Sequence, residues 1–89
     1  MVERQLEIVN RLGLHARAAA KLVHTAGRFS SDIQIAKDGQ NVDAKSILGI
    51  MALGAAQGTM IHLVCEGPDE DEALAAISEL IANRFDEAQ

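Results

Sequence analysis

The sequence predicts an open-faced α+β sandwich, with element order βαββαβα and the helices on one face of the sheet. Three features of the 89 residues carry that reading. Apolar and polar residues alternate over residues 2–9, 33–35 and 59–66, the period of a half-buried strand. Apolar residues recur at helical spacing over residues 16–26 and 70–85. The composition is 48% hydrophobic, with Phe29 and Phe85 the only aromatics, which calls for one aliphatic core. Alternating strands leave one sheet face polar, so the helices cover the other.

The first strand is expected over residues 2–9, with Val2, Arg4, Leu6 and Ile8 on one face, followed by a loop from Asn10 to Leu14. A helix then runs over residues 16–26 and stops at Gly27, read as a left-handed residue just past its end. Ile33 and Ile35 mark the second strand. Asp38-Gly39 is a hairpin turn signal, and residues 40–43 return as a short third strand. Residues 46–53 form a short helix ended by Gly54. Residues 59–66 are the fourth strand. Gly67-Pro68-Asp69 then opens a last helix reaching Phe85, with Ala73, Leu74, Ile77, Leu80, Ile81 and Phe85 on its apolar face. No repeat, linker or low-complexity segment divides the chain, so residues 1–89 read as one domain.

A chain of this size buries only about 60 to 65% of its unfolded surface, so its chemistry is expected on the surface rather than in an enclosed cavity. Cys65 is the lone cysteine and sits in an apolar run, which predicts a buried thiol and a reducing cytoplasm. No stretch approaches the roughly 18 apolar residues of a membrane span. The net charge is −5 and unevenly spread. Arg11, Arg17, Lys21, Arg28 and Lys37 face only Asp32 between residues 11 and 37, whereas beyond residue 65 eight carboxylates face only Arg84. A net-acidic chain with few aromatics is a poor nucleic-acid binder. No Cys/His/Asp/Glu set has metal-ligand spacing, and no Gly-rich phosphate loop, Ser/His/Asp arrangement or carboxylate pair is present.

The chemistry converges on His15, in Gly13-Leu14-His15-Ala16-Arg17-Ala18-Ala19-Ala20, where a strand-like segment gives way to a helix. Its imidazole lies beside the unpaired N–H groups of a helix start, which favour an anion. Arg17 adds a planar guanidinium suited to phosphoryl oxygens. A neutral ring nitrogen is nucleophilic near pH 7, and its phosphoramidate passes a phosphoryl group on readily. Position alone also fits a helix cap or an exposed loop residue. Arg17, Lys21, His24 and Arg28 follow at spacings of four, three and four along one face, either a solvated stripe or a surface for an acidic partner. His62 alternates with Ile61 and Leu63 and is expected to point from the sheet into solvent.

Gly13-Leu14-His15-Ala16-Arg17 resembles the active-site motif of the HPr family, the histidine phosphocarriers of the bacterial phosphotransferase system. Asn41-Val42-Asp43-Ala44-Lys45-Ser46-Ile47-Leu48-Gly49-Ile50-Met51-Ala52-Leu53-Gly54 resembles that family's regulatory-serine helix, and the resemblance spans essentially the whole chain. It implies a four-stranded antiparallel sheet in the order 1-4-2-3. It also implies a protein that is no enzyme: His15 takes a phosphoryl group on its pros nitrogen from Enzyme I, charged by phosphoenolpyruvate, and gives it to IIA-type domains. The N–H groups of Ala16 and Arg17, with the Arg17 guanidinium, would stabilise its charge. Ser46 becomes a target of an HPr kinase/phosphorylase, although an N-cap role alone accounts for a serine there. Ala20, Lys21, His24, Ile47, Leu48 and Met51 become partner contacts, while two of the last three equally suit the core. The implied protein is a cytoplasmic monomer without cofactor or metal, in sugar transport or a nitrogen-type regulatory branch. A non-covalent regulatory module of the same fold is the alternative. Most members carry proline where this chain has Ala18, so a slacker helix start is expected.

Overall fold

In the computed structural model, which describes residues 1–88, four strands form one antiparallel sheet in the order β1-β4-β2-β3. Its strands are β1 (Val2–Glu7), β2 (Asp32–Lys37), β3 (Gln40–Asp43) and β4 (Met60–Glu66). The helices are α1 (Ala16–Ala26), α2 (Ile47–Leu53) and α3 (Glu70–Ala82). The β2–β3 hairpin closes through Asp38 and Gly39, both at positive φ (50° and 84°), the backbone that a two-residue turn between twisted strands requires. Each of the two helical crossovers skips a strand, which seats β4 between β1 and β2.

Register sorts the sheet into two faces. Leu6 pairs with Ile61, and Leu63 with Ile35, on the face under the helices. Gln5, His62 and Ala36 lie side by side on the open face. His62 points from this open face, as its alternation predicts, and its Nε2 lies 2.7 Å from Glu3 Oε1. The core joins Ile8, Ile33, Ile35, Ile61 and Leu63 to Leu22, Ile50, Ile77, Ile81 and Phe85. Cys65 is buried among them, and burial above all pushes its thiol pKa up, with Glu70 and Asp69 adding to the effect.

Besides one-residue offsets at the starts of α2 and β4, three element ends differ from the sequence reading. The first strand ends at Glu7, not residue 9, because its partner turns away: Ile8 donates to the Thr59 carbonyl and accepts from Gly58, which lies at φ 89°. Gly27 is right-handed (φ −65°, ψ −15°), not left-handed. The end of α1 tightens instead, with Arg28 N–H donating to Thr25 and Phe29 N–H to Ala26, which satisfies the last carbonyls without a change of hand. Finally, α3 stops at Ala82. Phe85 is fully buried, as its spacing from Ile81 anticipates, but it arrives through a left-handed turn in which Arg84, Phe85 and Asp86 have φ of 57°, 54° and 63°. Such backbone costs on the order of 1 kcal/mol or more per residue. Phe85 burial and a 2.7 Å hydrogen bond from Lys21 Nζ to the Phe85 carbonyl oppose that cost.

Candidate functional site: the start of the first helix

The loop before α1 is fixed from beneath. Asn10 is fully buried, and its Nδ2 donates to the Gly13 carbonyl at 2.8 Å. Leu14 is buried, with its N–H donating to the Ala55 carbonyl at 2.9 Å. Gly13 between them has φ +65°, and a Cβ there would lie 2.5 Å from the Ala55 oxygen, so the loop approaches residue 55 only because residue 13 is glycine. The chain then enters α1 with His15 extended (φ −73°, ψ 177°) at the N-cap position. His15 supplies the carbonyl for the first helical hydrogen bond, from Ala19 N–H at 2.8 Å, but its side chain caps nothing. Among the described residues, the N–H groups of Ala16, Arg17 and Ala18 bond to no carbonyl. Ala18 is buried and α1 still begins at Ala16, so the absence of proline has not shortened the helix.

The imidazole is about one-quarter exposed (25%) and is gripped at one nitrogen. His15 Nε2 lies 2.5 Å from Glu87 Oε2, while Glu87 Oε1 accepts from Asn10 Nδ2 at 3.0 Å. Burial pushes the Glu87 carboxyl pKa up, but the hydrogen bonds from Asn10 and His15 and the charges of His15 and Arg17 together hold it below its ordinary value. Among the described residues Nδ1 has no hydrogen-bond partner, so the ring's second nitrogen is available for chemistry. Arg11, Leu12, Arg17, Glu87 and Ala88 line an open hollow of about 200 Å³. Two arginines thus share this hollow with the carboxylate that holds His15, so the cationic side chains outnumber the acidic one where a small anion would approach the helix start.

The other sequence candidates lie apart from this hollow. Ala20, Lys21 and His24 line a second hollow of about 340 Å³ between α1 and the end of α3. Lys21 is only partly available, because its ammonium is engaged by the Phe85 carbonyl. Ser46 caps α2, its Oγ accepting from Gly49 N–H at 3.1 Å. Ile47, Leu48 and Met51 are all exposed (38%, 79% and 45%), which removes the alternative that two of them suit the core. Ile50 and Leu53 take that role, and α2 turns its other side chains outward. Sequence reasoning missed Asn10, Arg11 and Glu87 as members of the site. The turn-forming Asn10 before Gly13 was a local signal for one of them; Glu87, 72 residues from His15, had none. Among the described residues no group of His, Cys, Asp and Glu is placed to hold a metal, and no helix is long and apolar enough to cross a membrane.

An open-faced sandwich with a histidine at the start of its first helix is the arrangement of a class of small proteins whose family model this chain matches. Residues 2–83 match the family model described as the PTS HPr component phosphorylation site. The chain is 51% identical to the phosphocarrier protein HPr of Cupriavidus necator, over 100% of both chains. It superposes on the crystal structure of HPr-C-His from Thermoanaerobacter tengcongensis with a TM-score of 0.97, at 50% identity and 100% coverage of both. A structure described as an HPr dimer from the same organism matches at a TM-score of 0.79 and 52% identity, covering 98% of this chain and 100% of that one. The chain belongs to the HPr family, the phosphocarrier proteins of the phosphotransferase system.

Proposed function

We propose that His15 is the phosphoryl acceptor, that it takes the group from phosphorylated Enzyme I through Nδ1, and that it gives it to IIA-type domains. The observation that carries this reading is the pairing of a gripped Nε2 with an Nδ1 and helix-start N–H groups that have no hydrogen-bond partner among the described residues. As the Nδ1 lone pair forms the new N–P bond, the bond to the donor breaks and its electron pair leaves with the donor. The N–H groups of Ala16 and Arg17 and the Arg17 guanidinium meet the charge of the arriving phosphoryl oxygens. Exposed Ile47, Leu48 and Met51, with Ala20, Lys21 and His24, provide a small contact surface that successive partners share. Ser46 is the site where an HPr kinase/phosphorylase would add a regulatory phosphate. The carrier acts as a single domain, a monomer in the cytoplasm, in a sugar-uptake or nitrogen-type branch.

Incubation with phosphoenolpyruvate and Enzyme I tests the reading. The wild-type chain gains one acid-labile, alkali-stable phosphate, and His15→Ala gains none while still folding cooperatively, with its thermal midpoint lowered because the Glu87 carboxylate loses a partner. A non-covalent regulatory module would take up no phosphate in either form. Transfer from the charged protein to a panel of IIA domains then separates sugar uptake from a regulatory branch.

A further inference from the structure

We propose that Glu87 forms a carboxylate–imidazole pair with His15 that keeps the proton on Nε2 and offsets the positive charge the ring gains when Nδ1 takes up a phosphoryl group. This rests on the carrier reading of His15 and adds a positioning residue to it. The carboxylate is held on both sides: Oε2 meets Nε2 at 2.5 Å, and Oε1 takes a hydrogen bond from the fully buried Asn10 at 3.0 Å. The segment that carries it is anchored independently, by buried Phe85 and by Lys21 Nζ on the Phe85 carbonyl. Three successive non-glycine residues adopt left-handed backbone to bring Glu87 there, and strained backbone of this kind persists where surrounding contacts over-determine it.

The charge balance of the transfer gives the carboxylate its work. A neutral ring protonated at Nε2 presents its lone pair at Nδ1. When that pair forms the N–P bond the Nε2 proton stays in place and the ring becomes cationic. When the phosphoryl group departs, the N–P electron pair returns to Nδ1 and the ring leaves as neutral imidazole rather than as an anion. A carboxylate on Nε2 favours the protonated ring throughout, as a buried aspartate does for the histidine of a serine protease. Glu87 is the charged group in contact with the ring, and Arg17 from α1 and Arg11 from the preceding loop line the hollow that Glu87 also borders; α2, packed against α1, carries no charged residue. Both arginines oppose a ring cation, which leaves Glu87 as its counter-charge.

Glu87→Gln tests the pair, because glutamine keeps the size and one acceptor oxygen but removes the charge, and leaves the Phe85 anchor untouched. Two quantities are measured for wild type and variant: the rate of transfer from phosphorylated Enzyme I, and the pH profile of phosphohistidine hydrolysis in the isolated phosphoprotein. The expected result is transfer slowed about three- to thirtyfold, the range for one charge partner at a partly exposed site. The hydrolysis midpoint should move down by about 0.5 to 1.5 pH units, the logarithm of the same ratio, because the phosphorylated ring then loses its proton more readily. An unshifted midpoint overturns the proposal even if transfer slows, since that pattern belongs to a tie that merely shapes the docking surface. Wild-type transfer rates in Glu87→Gln overturn it as well. Absence of phosphate on the wild-type chain would instead remove the carrier reading on which the pair depends.

Discussion

Gly13 shows how one residue without a side chain places another, the histidine proposed to carry the phosphoryl group. A methyl group at that position would collide with the Ala55 carbonyl, and the loop would have to lift away from residues 55 and 56. The position of His15 is therefore set by the backbone before it as much as by the helix after it. Arg17, by contrast, is exposed, and its value depends on what fills the hollow beside it. Arg17→Ala is expected to slow phosphoryl transfer to His15 by roughly tenfold to a thousandfold, the range for loss of one charge-stabilising donor, with thermal stability unchanged. Arg17→Lys should restore only part of the rate, because the ammonium keeps charge without the planar fork. Rapid-quench transfer kinetics measure both, and unchanged rates would leave Arg17 an ordinary surface charge. His15 and Arg17 were legible because strand end, glycine, histidine and helix start are consecutive. Glu87 was not, since nothing local in Arg84-Phe85-Asp86-Glu87 states that the chain reverses hand and returns to His15.

At the scale of elements, α2 has barely two turns, and so short an apolar segment does not declare which side it buries. The packing decides: Ile50 and Leu53 go inward, leaving Ile47, Leu48 and Met51 exposed next to a capped helix start. That adjacency sets what charge on Ser46 would do. The cap hydrogen bond to Gly49 N–H is worth about 1 kcal/mol, so Ser46→Ala should lower stability by that amount and affect docking little. Ser46→Asp keeps a capping oxygen and complements the helix dipole, so the fold is retained. Its negative charge beside the apolar patch should weaken binding of an acidic Enzyme I surface, with the defect shrinking as salt rises. Calorimetric titration at low and high ionic strength checks this, and equal affinity for wild type and Ser46→Asp at low salt would return Ser46 to a purely structural cap. The ends of α1 and α3 escaped the sequence for a related reason. The end of α1 is closed by the Arg28 and Phe29 N–H groups on the Thr25 and Ala26 carbonyls, the turn that follows α3 is held by Lys21 on the Phe85 carbonyl, and periodicity carries no record of either.

For the whole molecule, element order could be read from alternation and helical spacing, while the strand order 1-4-2-3 came only with the family resemblance, because periodicity assigns residues to faces and not strands to neighbours. One long-range tie helps hold that order and makes the fold sensitive to acid. Asp69, just before α3, accepts from the N–H groups of Ser30 and Ser31, both at 2.9 Å, and from Ser31 Oγ at 2.5 Å, fastening the start of α3 to the segment that leads into β2. The Ser31 hydroxyl first, and then the backbone N–H of Ser30, hold the Asp69 carboxyl below its ordinary pKa. A carboxyl with a lower pKa folded than unfolded contributes its full stabilisation above the unfolded value of about 4, and loses it as pH falls through the lower folded value. Glu70 shifts in the same direction, chiefly through the Gly67 N–H. Urea unfolding midpoints should therefore hold steady near neutral pH and fall steeply below about pH 4. Asp69→Asn should be less stable than wild type at pH 7, and the two curves should converge as the pH approaches 2, because the wild-type carboxylate is by then protonated and its advantage gone. A constant gap between the two across the whole range would mean that Asp69 acts through shape and neutral hydrogen bonding alone, not through its charge.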